Sequence, residues 1–130
     1  MARRITNALL VIRAIWELIQ YDLITAALGF RHVCRHVERQ RVVPRALHPA
    51  AEARVCEAVS VAACLYWKRV LCLQRSVVAT RMLRKTGIEG RLVIGYRASP
   101  FFSHAWVEVG DRVVNDSPAY KERMRVLCVL

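Results

Sequence analysis

Three side chains in the second half of this sequence have the chemistry of a nucleophile, a base and an orienting acid: Cys72, His104 and Asp116. Cys72 opens a segment of helical pattern, and the first turn of a helix presents unpaired amide N–H groups and the positive end of the helix dipole. Such a position favours the thiolate, the form of cysteine that attacks a carbonyl carbon. Arg69 and Arg75 add positive charge on either side. By position alone, Cys72 also reads as a small core hydrophobe. His104 is the only histidine of the C-terminal half. Strand alternation puts it on one face with Trp106 and Glu108, and puts Ala105, Val107 and Val109 on the other. Alone it would pass for a satisfied core histidine, but a cysteine nucleophile needs a base. Asp116 has the third role, holding an imidazole and stabilising its charged form. Its ordinary reading is a turn residue before Ser117-Pro118. Arg75, Trp106 and Trp67 are further candidates for contact with substrate or with a developing oxyanion.

These groups must be positioned by the elements around them. Leu9, Ile12, Ile15, Trp16, Ile19 and Leu23 recur at helical spacing in a block from Ile5 to about Arg41, with Gly29 as a break. Val42 to Pro49, with Pro44 and Pro49, reads as a linker, and Pro49 suits the first turn of the next helix. That helix carries Val55, Val59, Ala62 and Tyr66 as its stripe. A further helix runs from about Cys72 to Thr86 with Leu73, Val77 and Leu83 inward and Gly87 as its stop. Three β runs follow, Arg91–Arg97, Ser103–Val109 and Arg112–Asp116, and Met124–Leu130 adds a fourth candidate. Helices first and an antiparallel sheet second make an α+β layout. The boundaries expected are a helical segment over 1–48, for packing on the core or on a partner, and a core over 49–130, together one compact domain. Gly110-Asp111 signals a hairpin. A strict two-residue loop there would set Asp116 opposite Ala105, pointing away from His104. A triad therefore predicts a three-residue loop or one β-bulge.

Composition narrows the partners. A chain of 130 residues with 55% hydrophobic residues can bury a core without disulfides or metal. Mean hydropathy is high at +0.24, yet Arg13, Glu17 and Asp22 interrupt the longest apolar stretch, Ile5–Phe30. No membrane span or signal peptide is read there. The five cysteines, an odd number without secretory features, point to reduced thiols in the cytoplasm. Cys56, Cys64 and Cys72 would stand about 12 Å apart along a helix, too far to share one zinc ion. His32, Cys34 and His36 have no recognised ligand spacing, so no metal or cofactor is expected. The net charge of +11 suits an anionic partner, but no zinc-finger, RNP or phosphate-loop motif points to nucleic acid.

Read in order, Cys72-Leu73-Gln74-Arg75-Ser76, Leu83-Arg84-Lys85-Thr86-Gly87-Ile88, Leu92-Val93-Ile94-Gly95, His104-Ala105-Trp106-Val107-Glu108 and Asn115-Asp116 resemble one family. It is the B protein of lasso-peptide biosynthesis, in its leader-peptidase half, a transglutaminase-like cysteine protease. The resemblance runs from roughly Ala58 to the C-terminus. It implies a papain/transglutaminase-like fold with the catalytic Cys at a helix N-terminus, and it maps Cys, His and Asp onto Cys72, His104 and Asp116. The implied activity is removal of the leader from a ribosomally made precursor before a separate cyclase closes the macrolactam. The chain reads as too short for a fused leader-binding domain, which implies a separate leader-recognition protein. One departure concerns the oxyanion. Papain-like enzymes carry Gln six residues before the Cys, where this sequence has Tyr66; the Cys72 amide is one expected donor. Two other classes stay open: a transglutaminase-type acyl transferase of the same fold, and a basic binding protein without catalysis. Product mass separates the first from a peptidase. Indifference to Cys72→Ala and a steep salt dependence would mark the second.

Overall fold

The computed structural model describes residues 1–46 and 50–130. Its elements run α1 (Ala2–Leu28), α2 (Phe30–Arg39), α3 (Ala51–Leu65), α4 (Cys72–Lys85), β1 (Gly90–Arg97), β2 (Phe102–Val109), β3 (Arg112–Val113), α5 (Ala119–Arg123) and β4 (Arg125–Val129). Helices precede a small antiparallel sheet, the α+β order that the hydrophobic periodicity predicts. The expected helix start at Pro49, and the boundary between 48 and 49, lie outside the described residues.

Helix α4 is the centre of the molecule. Every residue from Ser76 to Arg84 is buried, because α1 and α3 pack on one side of it and β1 and β2 on the other. Val77 meets Leu92 and Ala105, while Val78, Ala79 and Met82 meet Ala14, Leu18, Val55 and Val59. Its polar members are matched inside. Arg81 donates to Glu17 at 2.6 Å. Arg84 donates to the main-chain oxygens of Gly90 at 2.9 Å, Val37 at 2.5 Å and Leu130 at 3.0 Å. The helix stops as Gly87 predicts. Gly87 takes φ +93°, the Ile88 amide donates to Leu83 O at 2.9 Å and the Gly87 amide to Arg84 O at 3.2 Å. Those two bonds, with the apolar contact of Ile88 and Leu83, form a Schellman motif.

At Gly29 the chain takes φ +82° and separates α1 from α2, as expected. The inward face of α1 differs from the apolar stripe read in the sequence. Ala14 and Leu18 are buried, whereas Leu9, Ile12, Trp16 and Leu23 are exposed.

The sheet has the order β3-β2-β1-β4. β1 and β2 pair without interruption from Gly90↔Val109 to Arg97↔Phe102. β4 carries a bulge: Ile94 faces Cys128 and Gly95 faces Val126, leaving Leu127 as the extra residue. Alternation along β2 turns Ala105 and Val107 toward the helices and Trp106 to the other face, with Val93 and Met124. Gly95 lies directly across from His104. A Cβ there would stand 2.6 Å from the Trp106 ring and 3.1 Å from Arg125 O, so only glycine lets the indole approach β1 this closely.

Candidate active site

The hairpin between β2 and β3 decides where Asp116 can go. Val109 pairs with Arg112 and Glu108 with Val113, so the loop is the strict two-residue form. Gly110 has φ +59° and no non-glycine residue has positive φ among the described residues, the pattern of a type II′ turn. The three-residue loop or bulge expected from the sequence is therefore absent, and β3 does not reach Asp116 but ends at Val113. Another device does the work. The Val114 amide still donates to Val107 O at 3.0 Å, but the Val107 amide donates to the side-chain oxygen of Asn115 at 2.8 Å. Asn115 replaces a main-chain carbonyl with its own amide, and the backbone leaves the ladder at that residue. Alternation then no longer governs Asp116.

Freed in this way, Asp116 turns to His104: Oδ2 lies 2.7 Å from Nε2. Its Oδ1 accepts the Ser117 amide at 2.8 Å, and Arg75 Nη2 donates to Oδ2 at 3.4 Å. The His104 side chain is 10% exposed. Tyr120 lies against it with ring centroids 4.0 Å apart, and Phe102 and Trp106 stack at 6.0 and 6.4 Å. Aromatic walls and one carboxylate thus fix the ring. A proton on Nε2 facing Asp116 leaves the Nδ1 lone pair available as a base.

Cys72 is the first residue of α4 and is partly buried. The Arg75 amide closes the first turn on Leu71 O at 3.0 Å. The amides of Cys72, Leu73 and Gln74 precede that bond, and no side chain caps the helix start. One turn on, Ser76 Oγ donates to Ala105 O at 3.1 Å and accepts from Asn115 Nδ2 at 3.1 Å. Helix start, β2 and the Asn115 exit are thus joined beside His104. The structure brings His104, Asp116 and Arg75 into contact. It has no hydrogen bond between the Cys72 thiol and the His104 ring.

The other expected contacts are redistributed. Trp106 is fully buried and donates Nε1 to Glu108 Oε1 at 3.0 Å, so it supports the His104 ring from the core and offers no surface to a substrate. Arg75 is engaged with the carboxylate. Trp67 is 80% exposed, with Lys68 Nζ 5.8 Å from its ring centroid. Asp22 is a member that sequence reasoning missed. It accepts from Tyr66 Oη at 2.6 Å, Lys68 Nζ at 2.5 Å and Gln74 Nε2 at 3.2 Å, tying α1 to both ends of the segment that leads into Cys72. Burial works against the Asp22 charge, but these donors outweigh it and hold its carboxyl below the usual range. An acid interrupting the apolar run of α1 was the available signal. Among the other thiols, burial pushes Cys56 up to about 11 and also raises Cys34. His32 Nδ1 lies 2.7 Å from Leu28 O, and no group of three or more candidate metal ligands occurs among the described residues.

Residues 16–129 match the family model of the Transglutaminase-like superfamily. The chain belongs to the transglutaminase-like superfamily. The matched range runs from Trp16 in α1 to the end of β4, so this transglutaminase-like unit includes helices on both sides of the 48/49 boundary. The chain is also similar to the Microcin J25-processing protein McjB of Escherichia coli, 45% identical over 56 residues. That alignment covers 43% of this chain and 27% of McjB, so it spans about a quarter of the relative's length. No solved structure matches the chain.

Proposed function

We propose that this transglutaminase-like protein is a cysteine peptidase that removes the leader from a lasso-peptide precursor before macrolactam formation. The observation that carries the reading is the 2.7 Å contact of Asp116 with His104 Nε2, which leaves Nδ1 to act on a thiol. The uncapped first turn of α4, which begins at Cys72, supports it, and so does the similarity to a microcin-processing protein.

In this mechanism His104 Nδ1 takes the Cys72 proton, and the sulfur attacks the carbonyl at the leader–core junction. The tetrahedral oxyanion forms where the amides of Cys72 and its neighbours converge. The C–N bond breaks, His104 gives the proton to the departing amine, and the leader remains as a thioester on Cys72. Water then adds to the thioester with His104 as base, releasing the leader carboxylate and regenerating the thiol. Asp116 holds the ring and offsets its charge. Cys72 and His104 close to contact distance when substrate is bound, since catalytic hydrogen bonds tighten in the Michaelis complex. The substrate is the precursor peptide, and a separate leader-recognition protein presents it.

The test is the mass of the products. Precursor incubated with this protein and a leader-recognition protein is expected to give two fragments whose masses sum to the precursor plus one water. Joining of the leader to an added amine would instead mark an acyl transferase. Cleavage by Cys72→Ala at the wild-type rate would overturn the reading.

A further inference from the structure

The largest run of exposed apolar side chains lies on α1, away from the candidate active site. Ile5, Leu9, Ile12, Trp16 and Leu23 are each 55–61% exposed, with partly buried Ile19 between the last two. Their steps along the chain alternate between four and three residues without a break, which is the repeat of a coiled-coil seam. At 3.6 residues per turn the six fall within about 80° of the helix circumference. Ala14 and Leu18 occupy the opposite face and are fully buried in the core. The helix therefore has two apolar faces, of which the fold covers one.

The width and the charge of the open face indicate what covers it. A seam confined to a and d positions is too narrow for a helix lying in a lipid surface and fits the groove of another helix. The two acids of α1 are both bound within the molecule, Glu17 by Arg81 and Lys85 and Asp22 by Lys68. The exposed ionic groups of the helix are then Arg3, Arg4 and Arg13. Beside Trp16 opens a hollow of about 280 Å³ lined by Leu10, Val43 and Met82, by Arg13 and Arg45, and by Glu17, whose charge Lys85 and Arg81 already match. A second copy would set like charges together, on a chain that already carries +11. An acidic helix is the complement.

We propose that the outward seam of α1 docks an acidic amphipathic helix of a separate protein. Apolar side chains of that helix enter between Ile5, Leu9, Ile12 and Trp16, and a flanking carboxylate enters the hollow between Arg13 and Arg45. This assignment does not rest on the peptidase reading, because neither the seam nor the hollow includes Cys72, His104 or Asp116.

The experiment uses a fluorescently labelled synthetic helix of three heptads, with leucine at a and d and glutamate at e and g, titrated with the full chain at low salt. Saturable binding is expected. It should weaken at least tenfold in the double variant Ile12→Ser/Trp16→Ser and in Arg13→Ala/Arg45→Ala, and with a peptide carrying lysine in place of glutamate. Those side chains are exposed, so unchanged melting temperatures confirm that the variants are folded. No binding, equal binding of the lysine peptide, or full affinity in Ile12→Ser/Trp16→Ser would overturn the proposal. So would dimerisation in sedimentation, or association with phosphatidylglycerol-containing vesicles, that the same seam variant abolishes in place of peptide binding.

Discussion

Asp116 accepts from three directions at once, His104, Arg75 and the Ser117 amide, and each direction fixes a different part of the site. Its carboxylate orients the imidazole, so Asp116→Asn is expected to lower kcat/KM on precursor by roughly 10³–10⁴ while leaving the fold intact; a loss under about tenfold would contradict the orienting role. Thiol reactivity provides a second check at this scale. Cys64 is the exposed cysteine, and the Cys56 thiol is raised to about 11 by burial. If the α4 start sustains a thiolate, iodoacetamide near pH 6 will label Cys72 ahead of the more accessible Cys64. Labelling in order of exposure would argue against a nucleophile. Cys72, His104 and Asp116 were legible as residue types in a fixed order. Asp22 was not, because its partners lie more than forty residues away and nothing local marks them.

At the scale of elements, the sequence carried most of what builds the site and lacked one turn of it. The helix stop at Gly87, the break at Gly29 and the Gly110-Asp111 hairpin each follow from glycine's access to positive φ, which is a local property. The exit of the chain at Asn115 is not local. A side-chain amide there imitates a ladder carbonyl and reaches Ser76 on α4, and strand alternation has no record of such a substitution. Five-residue α5 was likewise too short to show a period. Asn115→Ala leaves the Val107 amide and the Ser76 hydroxyl each short of a partner, a cost of about 1–3 kcal/mol, and it releases Asp116 from its approach to His104. Denaturant melts should show that loss, with a larger fall in activity than the stability change explains; a variant of normal stability and normal activity would contradict the account. Gly95→Ala forces the Trp106 ring aside and is expected to cost about 1–3 kcal/mol by overpacking. An unchanged denaturation midpoint would show that the ring has room to move.

Across the whole molecule, the N-terminal helix is bound to the centre through Glu17, which is buried and paired with buried Arg81 and with the half-exposed Lys85. Burial opposes the Glu17 charge, but its two cations outweigh that effect and hold its carboxyl below the ordinary value of 4.5. The stability it contributes is therefore complete above that value and is lost as the pH falls through the lower, folded one. The melting temperature should drop on acidification below about pH 4.5, and Glu17→Gln should cost about 3 kcal/mol at neutral pH and flatten part of the acid response. An acid response unchanged by the substitution would remove Glu17 from that role. The sequence shows α1 as apolar without showing which face the core takes, because Ala14 and Leu18 win by fitting closely against α3 and α4 and not by being the most hydrophobic. In the proposed mechanism, thiol, imidazole and carboxylate act on one carbonyl. A crystal structure of the protein with a leader peptide ending in an aldehyde tests it most directly. A thiohemiacetal is expected on Cys72 with Sγ within about 4 Å of His104 Nδ1 and Asp116 still on Nε2. An aldehyde bound to another thiol, or a Cys72 sulfur more than about 8 Å from the ring, beyond any hydrogen-bond reach, would contradict it.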